Sequence, residues 1–208
     1  MAIARRGPFG DNDGMRAQLR IVSGSLRGRK LAYTVHPALR PIPDMVRQAL
    51  FNILREDISD RLFLDLFAGT GVVGFEALSR GARTVEFVER DFHAANEIAR
   101  SLKEFGVADR AQLHRADVYR WVERWQPPAE PVTIFLGPPF PDFEHRPEAL
   151  VQAITSLQQR LAAGSALALQ SEKNFVADHL ANGQTWDMRH YGRNQLAIWR
   201  KGKVLSTE

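Results

Sequence analysis

The stretch LFLDLFAGTGVVGFEALSRG, residues 62–81, decides the fold of this chain. Its first residues, 62–67, form an almost continuous apolar run that predicts a buried strand. A glycine-rich turn follows at 68–74, and the next residues predict a helix that ends at Gly81. A strand, a glycine-rich turn and a helix in this order indicate an α/β protein with a ligand at the turn.

Three glycines give this turn the pattern G-x-G-x-x-G: Gly69, Gly71 and Gly74. Glycines let a ligand approach the backbone, and the start of the following helix offers unpaired N–H groups. NAD, FAD and S-adenosylmethionine all bind at such turns, so the pattern predicts a nucleotide-like cofactor without choosing among them. A tight turn without a ligand is the alternative.

Strands and helices continue to alternate toward the carboxyl end. Their spacing predicts right-handed βαβ units and a doubly wound, mostly parallel sheet of the Rossmann-like α/β class, with helices on both faces. A closing hairpin would add an antiparallel strand at an edge. The predicted strands are 84–89, 111–117, 132–137, 166–172, 186–191 and 195–201, and the predicted helices are 91–106, 118–125 and 147–162.

On the amino side, the sequence predicts a hairpin and a helix. Short apolar runs broken by glycines predict a β-hairpin over 19–33. RPIPD, residues 40–44, predicts a rigid loop in which Asp44 caps the next helix. That helix has apolar residues at amphipathic spacing over about three turns, namely Val46, Ala49, Leu50, Ile53 and Leu54.

Positive charge concentrates in this amino-terminal part. The net charge is +4, and residues 1–60 carry ten Lys/Arg against six Asp/Glu, whereas residues 61–208 carry 18 of each sign. We divide the chain into a flexible terminus (1–18), a basic extension (19–60) and a neutral main domain (61–208). A basic extension indicates a polyanionic partner, most often nucleic acid, and a solubilising surface is the alternative. Between Gly14 and Pro43 no acid occurs, and the bases are Arg16, Arg20, Arg27, Arg29, Lys30 and Arg40.

The composition excludes several classes of protein. Of the 208 residues, 44% are hydrophobic and 25% are charged, which argues against disorder and fibres. No apolar run reaches the roughly 18 residues of a membrane helix, and the first residues lack a signal-peptide core. The absence of cysteine excludes disulfides and thiolate metal sites, and the histidines are scattered. We therefore expect a cytoplasmic protein without a metal ion.

Two acidic residues follow predicted strands at the edge where ligands bind in open α/β sheets. Glu89 lies twenty residues after Gly69 and could accept both ribose hydroxyls of an adenosine; an exposed carboxylate is the alternative. We interpret Asp91 as the N-cap of the following helix. Asp117 could accept from an adenine amino group or cap the helix from Val118, and the sequence leaves both roles open.

The fourth strand of this series ends in Gly137-Pro138-Pro139-Phe140. Two prolines cannot continue a sheet, so the chain must turn at the edge where the ligand is expected. An aromatic side chain beside them can stack on a planar substrate. By itself, a Pro-Pro-Phe sequence is more often a plain turn.

Taken together, these features resemble the class I S-adenosylmethionine-dependent methyltransferases and, more narrowly, the bacterial 16S rRNA (guanine-966-N2) methyltransferase family. The resemblance covers roughly residues 19–201. It rests on RIVSGSLRGRKL (20–31), RPIPDMVRQALFNIL (40–54), DLFAGTGVVGFEALSRGA (65–82), VEFVERD (85–91), PPF (138–140) and the final strand pair. The amino-terminal motifs are the specific ones, because a whole superfamily shares the glycine-rich turn.

The resemblance implies a seven-stranded sheet, S-adenosylmethionine as cofactor and a monomer that acts on 16S rRNA or an assembling small ribosomal subunit. It implies a cofactor site made of Asp65, Phe67, Ala68, Gly69, Thr70, Gly71, Glu89 and Asp117. It also implies a catalytic loop made of Gly137, Pro138, Pro139 and Phe140. With the charge pattern, it places RNA contacts at Arg20, Arg27, Arg29, Lys30 and Arg40.

The sequence departs from this family at Gly137, where its relatives carry Asp or Asn. That side chain and the following Pro carbonyl accept the hydrogens of the target amine and so orient its lone pair. Loss of one such acceptor typically costs about 10²–10³ in rate, by analogy with oxyanion holes. Activity would be weakened, rescued by a neighbour such as Asp142, or lost.

Two other functions stay open. One is a non-catalytic RNA-binding or assembly protein that keeps the cofactor pocket, which Gly137 suggests. The other is a nicotinamide-dependent dehydrogenase, which the G-x-G-x-x-G pattern suggests. The dehydrogenase is disfavoured because the chain lacks a second catalytic domain of normal size and because the basic extension and Pro-Pro-Phe would have no role.

Overall fold

A seven-stranded sheet forms the centre of the computed structural model, which describes residues 15–36, 39–172 and 186–202. Its strands are β3 (Leu62–Leu66), β4 (Thr84–Val88), β5 (Ala111–His114), β6 (Val132–Leu136), β7 (Ala166–Glu172), β8 (Asp187–Tyr191) and β9 (Asn194–Arg200). The order is β5-β4-β3-β6-β7-β9-β8, and the first five strands run parallel. This confirms the predicted doubly wound α/β sheet.

The carboxyl-terminal hairpin joins the sheet differently from the prediction in one respect. β9 is antiparallel to both β7 and β8, so the antiparallel strand lies one position in from the edge. β8 covers its outer side. The last strand in the chain is therefore buried in the sheet, and five consecutive residues of β9, 195–199, are buried.

The helices cover both faces of the sheet, as the alternating pattern predicted. They are α1 (Asp44–Ile53), α2 (Val72–Ser79), α3 (Phe92–Phe105), α4 (Val118–Arg124), α5 (Asp142–His145) and α6 (Pro147–Arg160). Phe63 faces the cluster built with α1, α2 and α3, and its neighbour Leu64 faces the cluster built with α4 and α6. Burial on both faces explains why β3 is a nearly unbroken apolar run. Within the described ranges, no helix is long and apolar enough to cross a membrane.

The amino-terminal hairpin begins earlier than the sequence predicted. β1 (Arg16–Arg20) pairs antiparallel with β2 (Lys30–Thr34), so residues 16–18 belong to the hairpin and not to the terminus. Residues 1–14 lie outside the described part of the chain. The hairpin packs beside α3, where Glu97 accepts hydrogen bonds from the backbone N–H and the hydroxyl of Thr34.

Asp44 does not cap α1, contrary to our prediction. The N-cap residue is Pro43, and Asp44 is the first residue of the helix. Its carboxylate lies 3.1 Å from Nη1 of Arg47, one turn along. An acid in the first turn still complements the helix dipole, so the residue type fits the place although the role differs.

One buried carboxylate, that of Glu76 on α2, attaches the extension to the main domain. It accepts hydrogen bonds from the N–H groups of Val22 (3.0 Å) and Ser23 (3.1 Å). Nε of Arg47 on α1 lies 3.7 Å from Glu76 Oε2, and both side chains are fully buried. Arg47 also donates to the carbonyl of Arg20. Hairpin, first helix and main domain therefore meet at one ion pair.

We expect Glu76→Ala to lower the free energy of unfolding by about 3–5 kcal/mol, because the variant removes the buried carboxylate that pairs with Arg47 and leaves the N–H groups of Val22 and Ser23 without their acceptor. Urea denaturation measures this difference. Glu123→Ala removes an exposed carboxylate from α4 and is the matched control, with an expected change within about 0.5 kcal/mol. A loss below about 1 kcal/mol for Glu76→Ala would contradict this account of the docking.

Candidate active site

A cleft of about 1240 Å³ opens at the carboxyl ends of the parallel strands. It lies where the strand order reverses, with β4 on one side of β3 and β6 on the other. Open α/β sheets bind ligands at this position. Residues of the extension, including Thr34, His36 and Leu39–Ile42, line one wall. The cleft therefore belongs to the main domain and the extension together.

The glycine-rich turn forms the floor of the cleft. Gly69 and Gly71 have φ values of +54° and +74°, in the left-handed region that favours glycine. Phe67 also has a positive φ, +63°, which is uncommon for a residue with a side chain. Its ring packs edge-on against Tyr119 with the centroids 5.4 Å apart. Such backbone strain costs about 1–3 kcal/mol and is found mainly at functional sites.

Asp65 sits under this turn and occupies the start of α2. Its carboxyl is almost fully buried and accepts a hydrogen bond from the N–H of Gly74 at 2.8 Å. Burial raises the pKa of Asp65 to about 8; the bond from Gly74 opposes this shift, and the negative charge of Glu89 adds to it. The carboxyl of Asp65 therefore links the end of β3 to the first turn of α2.

Glu89 is not the exposed carboxylate that the sequence left as an alternative. It is 9% exposed, and its two oxygens accept hydrogen bonds of 2.7 Å from the N–H groups of Gly69 and Asp91. It therefore fixes the glycine-rich turn relative to the end of β4. Asp91 caps α3 by accepting from Ala94, which confirms its predicted role. A carboxylate has about four acceptor positions, so Glu89 can still accept from a ligand hydroxyl.

Asp117 caps α4 by accepting a hydrogen bond from the N–H of Arg120 at 3.2 Å. Its second oxygen lies 3.1 Å from Nη1 of Arg146. Partial burial raises the pKa of Asp117, but the bonds from Arg120 and Arg146 outweigh that effect and hold it below its ordinary value. Asp117 also lines the cleft, so its contact with an adenine amino group stays a prediction.

The Gly137–Phe140 loop faces the glycine-rich turn across the cleft. The N–H of Gly137 donates to the carbonyl of Leu66 at 3.1 Å, which ties the ends of β6 and β3 together. A Cβ atom at position 137 would lie 3.0 Å from the ring of Phe135. The short helix α5, which our sequence analysis did not predict, follows the loop directly.

Asp142, which the sequence offered as one neighbour able to replace the missing acceptor, is hydrogen-bonded to another side chain. Its Oδ2 accepts a hydrogen bond of 2.6 Å from the hydroxyl of Tyr119. Burial and this bond raise the pKa of the Tyr119 hydroxyl, and the guanidinium of Arg146 lies 4.1 Å from the ring centroid of Tyr119. Asp142 therefore belongs to a network that connects α5 with α4.

The structure brings only one of the five predicted RNA contacts to the cleft. Arg40 lines it, whereas Arg20, Arg27, Arg29 and Lys30 do not. Arg29 donates instead to the carbonyl of Glu104 and lies over the ring of Phe105, at the far end of α3.

Three other arginines line the cleft: Arg16, Arg90 and Arg100. The sequence prediction placed RNA contacts in the extension and therefore did not include Arg90 and Arg100. For Arg100 the sequence does hold an indication, because the helical spacing of His93, Glu97 and Arg100 places these side chains on one face of α3. Among the described residues, no three His, Asp or Glu side chains are grouped to hold a metal ion.

Residues 19–200 match the model of a protein family described as Conserved hypothetical protein 95. The chain belongs to this family. It is similar to YlbH of Bacillus subtilis, a candidate rRNA methyltransferase, with 32% identity over 88% of this chain and 99% of YlbH. It is also similar to Ribosomal RNA small subunit methyltransferase D of Escherichia coli, with 37% identity over 59% of this chain and 61% of that protein.

A solved structure supports the same grouping. The candidate methyltransferase yhhF from Escherichia coli superposes with a TM-score of 0.72 and 29% identity, covering 90% of this chain and all of yhhF. The sheet and helices described above are thus those of the class I methyltransferase fold.

Asp65 should make stability depend on pH. Its pKa in the folded chain, about 8, exceeds the ordinary value near 4, so the folded state binds the extra proton between these pH values. The free energy of unfolding of the wild type should therefore fall, relative to Asp65→Asn, as the pH rises from 4 to 8. The slope is at most about 1.4 kcal/mol per pH unit. Parallel curves for the two proteins in urea denaturation between pH 5 and pH 8 would contradict the raised pKa.

Proposed function

We propose that this protein transfers a methyl group from S-adenosylmethionine to rRNA of the small ribosomal subunit, at the N2 amine of a guanine. The observation that carries the proposal is the placing of the glycine-rich turn, Glu89 and the Gly137–Phe140 loop around one cleft. The name of the Escherichia coli relative, a small subunit rRNA methyltransferase, supports the substrate class. We expect a monomer that acts on 16S rRNA or an assembling small subunit.

The donor set of the cleft fits S-adenosylmethionine. Glu89 would accept the ribose hydroxyls beside the turn at Gly69, and Asp117 would meet the adenine. The cleft is also rich in acidic side chains, which suits a ligand that carries a sulfonium and an ammonium. Besides Asp65, whose raised pKa lowers its negative charge at neutral pH, seven acidic residues line it against four arginines, namely Glu89, Asp91, Glu97, Asp117, Asp142, Glu144 and Glu172.

The loop after β6 would hold the target base. The ring of Phe140 would stack on the guanine, which must be flipped out of its helix to reach the cleft. The carbonyl of Pro138 would accept one hydrogen of the exocyclic amine. When bound, S-adenosylmethionine supplies a methyl group on an already activated sulfonium, so the protein mainly aligns the reactants.

The transfer itself is a single displacement. The lone pair of the amine nitrogen forms the new N–C bond, and the electron pair of the breaking C–S bond stays on sulfur. S-adenosylhomocysteine is left, and the methylated nitrogen releases one proton to solvent.

The arginines at the cleft would hold the RNA backbone. Arg16 and Arg40 come from the extension, and Arg90 and Arg100 lie on the α3 side. Arg16, Arg90 and Arg100 are all exposed. Contacts of this kind give affinity and register without reading the base sequence.

A second candidate function, binding of cofactor and RNA without turnover, follows from the absent side chain at Gly137.

A direct assay tests the proposal. The wild type should transfer labelled methyl from S-adenosylmethionine to undermodified 16S rRNA or small subunits and yield N2-methylguanine. Glu89→Ala should weaken binding of S-adenosylhomocysteine by about tenfold or more in calorimetry, because charge-assisted hydrogen bonds are lost, while Glu123→Ala should not. Binding of S-adenosylhomocysteine and RNA without any transfer would select the non-catalytic function instead, and binding of NAD alone would reject both.

A triple variant tests the RNA surface. Replacing Arg16, Arg90 and Arg100 with Ala should weaken RNA binding and lower the slope of log affinity against log salt by about two, given about 0.7 per phosphate contact. Removing the same charge at Arg20, Arg27 and Lys30, which are exposed but do not line the cleft, is the matched control. Equal losses in both triple variants would favour the wider basic extension that the sequence predicted.

A further inference from the structure

We propose that the side-chain carbonyl of Gln170 accepts the hydrogen bond from the target amine that a side chain at position 137 would otherwise accept. Gln170 lies on β7, the strand that pairs with β6 just before the Gly137–Phe140 loop. The inference rests on the proposed methyl transfer and adds a catalytic residue to it.

The register of the sheet places Gln170 beside Gly137. β6 and β7 pair in parallel, and the last two partners are Phe135 with Ala168 and Leu136 with Leu169. One further step along both strands brings position 137 next to position 170, at the usual strand spacing of about 4.8 Å.

The two positions also face the same side of the sheet. Side chains alternate along a strand, so position 137 faces as Phe135 does, and Gln170 faces as Ala168 does. Phe135 and Ala168 belong to the same hydrophobic cluster. The side chain of Gln170 therefore leaves the sheet on the same face as a side chain at position 137 would.

The amide of Gln170 is held in one orientation. It is 9% exposed and lines the cleft, and its Nε2 donates to Oδ1 of Asn194 on β9 at 3.1 Å. With its nitrogen committed to Asn194, the amide has its carbonyl oxygen as the group that can accept from a substrate amine. An amide oxygen is the same acceptor that Asn would provide at position 137.

The neighbours of the loop are less suited to this role. Asp142 lies on α5, outside the sheet, and its Oδ2 is directed toward α4 by the hydroxyl of Tyr119. A Cβ atom at position 137 would lie 3.0 Å from the ring of Phe135, so a side chain there needs that ring to shift by a few tenths of an ångström. Phe135 itself has no acceptor atom in its side chain, and Gln170 is the buried amide beside the loop.

In the displacement step, Gln170 would hold one N–H of the amine and the carbonyl of Pro138 the other. The lone pair is then directed at the methyl carbon, and the positive charge that develops on nitrogen is stabilised by both oxygens. Gln170 takes no proton; the proton leaves from the methylated nitrogen to solvent.

Gln170→Leu tests the proposal in the full chain. We expect kcat for methyl transfer to 16S rRNA or small subunits to fall by about 10²–10³, while the Kd for S-adenosylhomocysteine changes less than about threefold. Gln170→Glu keeps an acceptor oxygen, to which Asn194 can donate after rotating its amide, and should retain at least about a tenth of wild-type kcat. Gln158→Leu is the matched control, since Gln158 is equally buried and its side-chain amide has no hydrogen-bond partner among the described residues.

A double variant distinguishes Gln170 as an acceptor for the amine from Gln170 as a structural hydrogen bond between β7 and β9. Gly137→Asn added to Gln170→Leu should restore kcat at least tenfold, because it returns a carbonyl beside the amine. It would not restore the hydrogen bond to Asn194. Wild-type kcat in Gln170→Leu, or no restoration in a double variant that melts like Gln170→Leu, overturns the assignment and leaves the proposed function standing. Absence of transfer by the wild type on every substrate rejects the proposed function itself.

Discussion

The cleft of this protein depends on one buried ion pair, between Glu76 on α2 and Arg47 on α1. The two carboxylate oxygens of Glu76 accept hydrogen bonds from the N–H groups of Val22 and Ser23. The guanidinium of Arg47 donates to the carbonyl of Arg20. A buried pair of this kind gives little net stability against an apolar replacement, but it strongly disfavours any arrangement that separates its members. It thus fixes how the extension sits on the sheet, and the extension supplies one wall of the cleft.

A second carboxyl, that of Asp65, gives the glycine-rich turn its chemical character. The turn has the glycine pattern of nucleotide-binding sites, and the buried carboxyl accepts the N–H of Gly74 in the first turn of α2. Glu89 then holds the turn from the other side through Gly69. Asp65 and Glu89 thus fix the turn from two sides, and Glu89 lines the cleft with a carboxylate that can accept ligand hydroxyls.

The two halves of the proposed site are joined by side chains as well as by the sheet. Asp117 at the cofactor side pairs with Arg146, and Arg146 lies over Tyr119, whose hydroxyl binds Asp142 beside the Pro-Pro-Phe loop. The ring of Phe67 packs on the same tyrosine from the glycine-rich turn. The proposed cofactor end and the proposed substrate loop therefore share one network centred on Tyr119.

Much of this architecture could be predicted from local patterns. The strands and helices follow from apolar periodicity and from glycine and proline at their ends. The cap at Asp91 follows from position alone, whereas the cap at Asp117 was one of two roles that its position left open. The prediction that Asp44 caps α1 was wrong, because Pro43 occupies the N-cap position. The helix α5 was missed because its four residues are too few for any periodicity.

The sequence by itself determined the α/β fold, the turn at Gly69 and the absence of an acceptor at Gly137, because these depend on neighbouring residues. Only the tertiary structure decided which arginines reach the cleft, that the buried Asp65 accepts the N–H of Gly74, and that Gln170 lies beside Gly137. Those facts depend on strand order and register, which bring together residues far apart in the chain. Burial then decides which of their polar atoms are already occupied and which can serve a ligand.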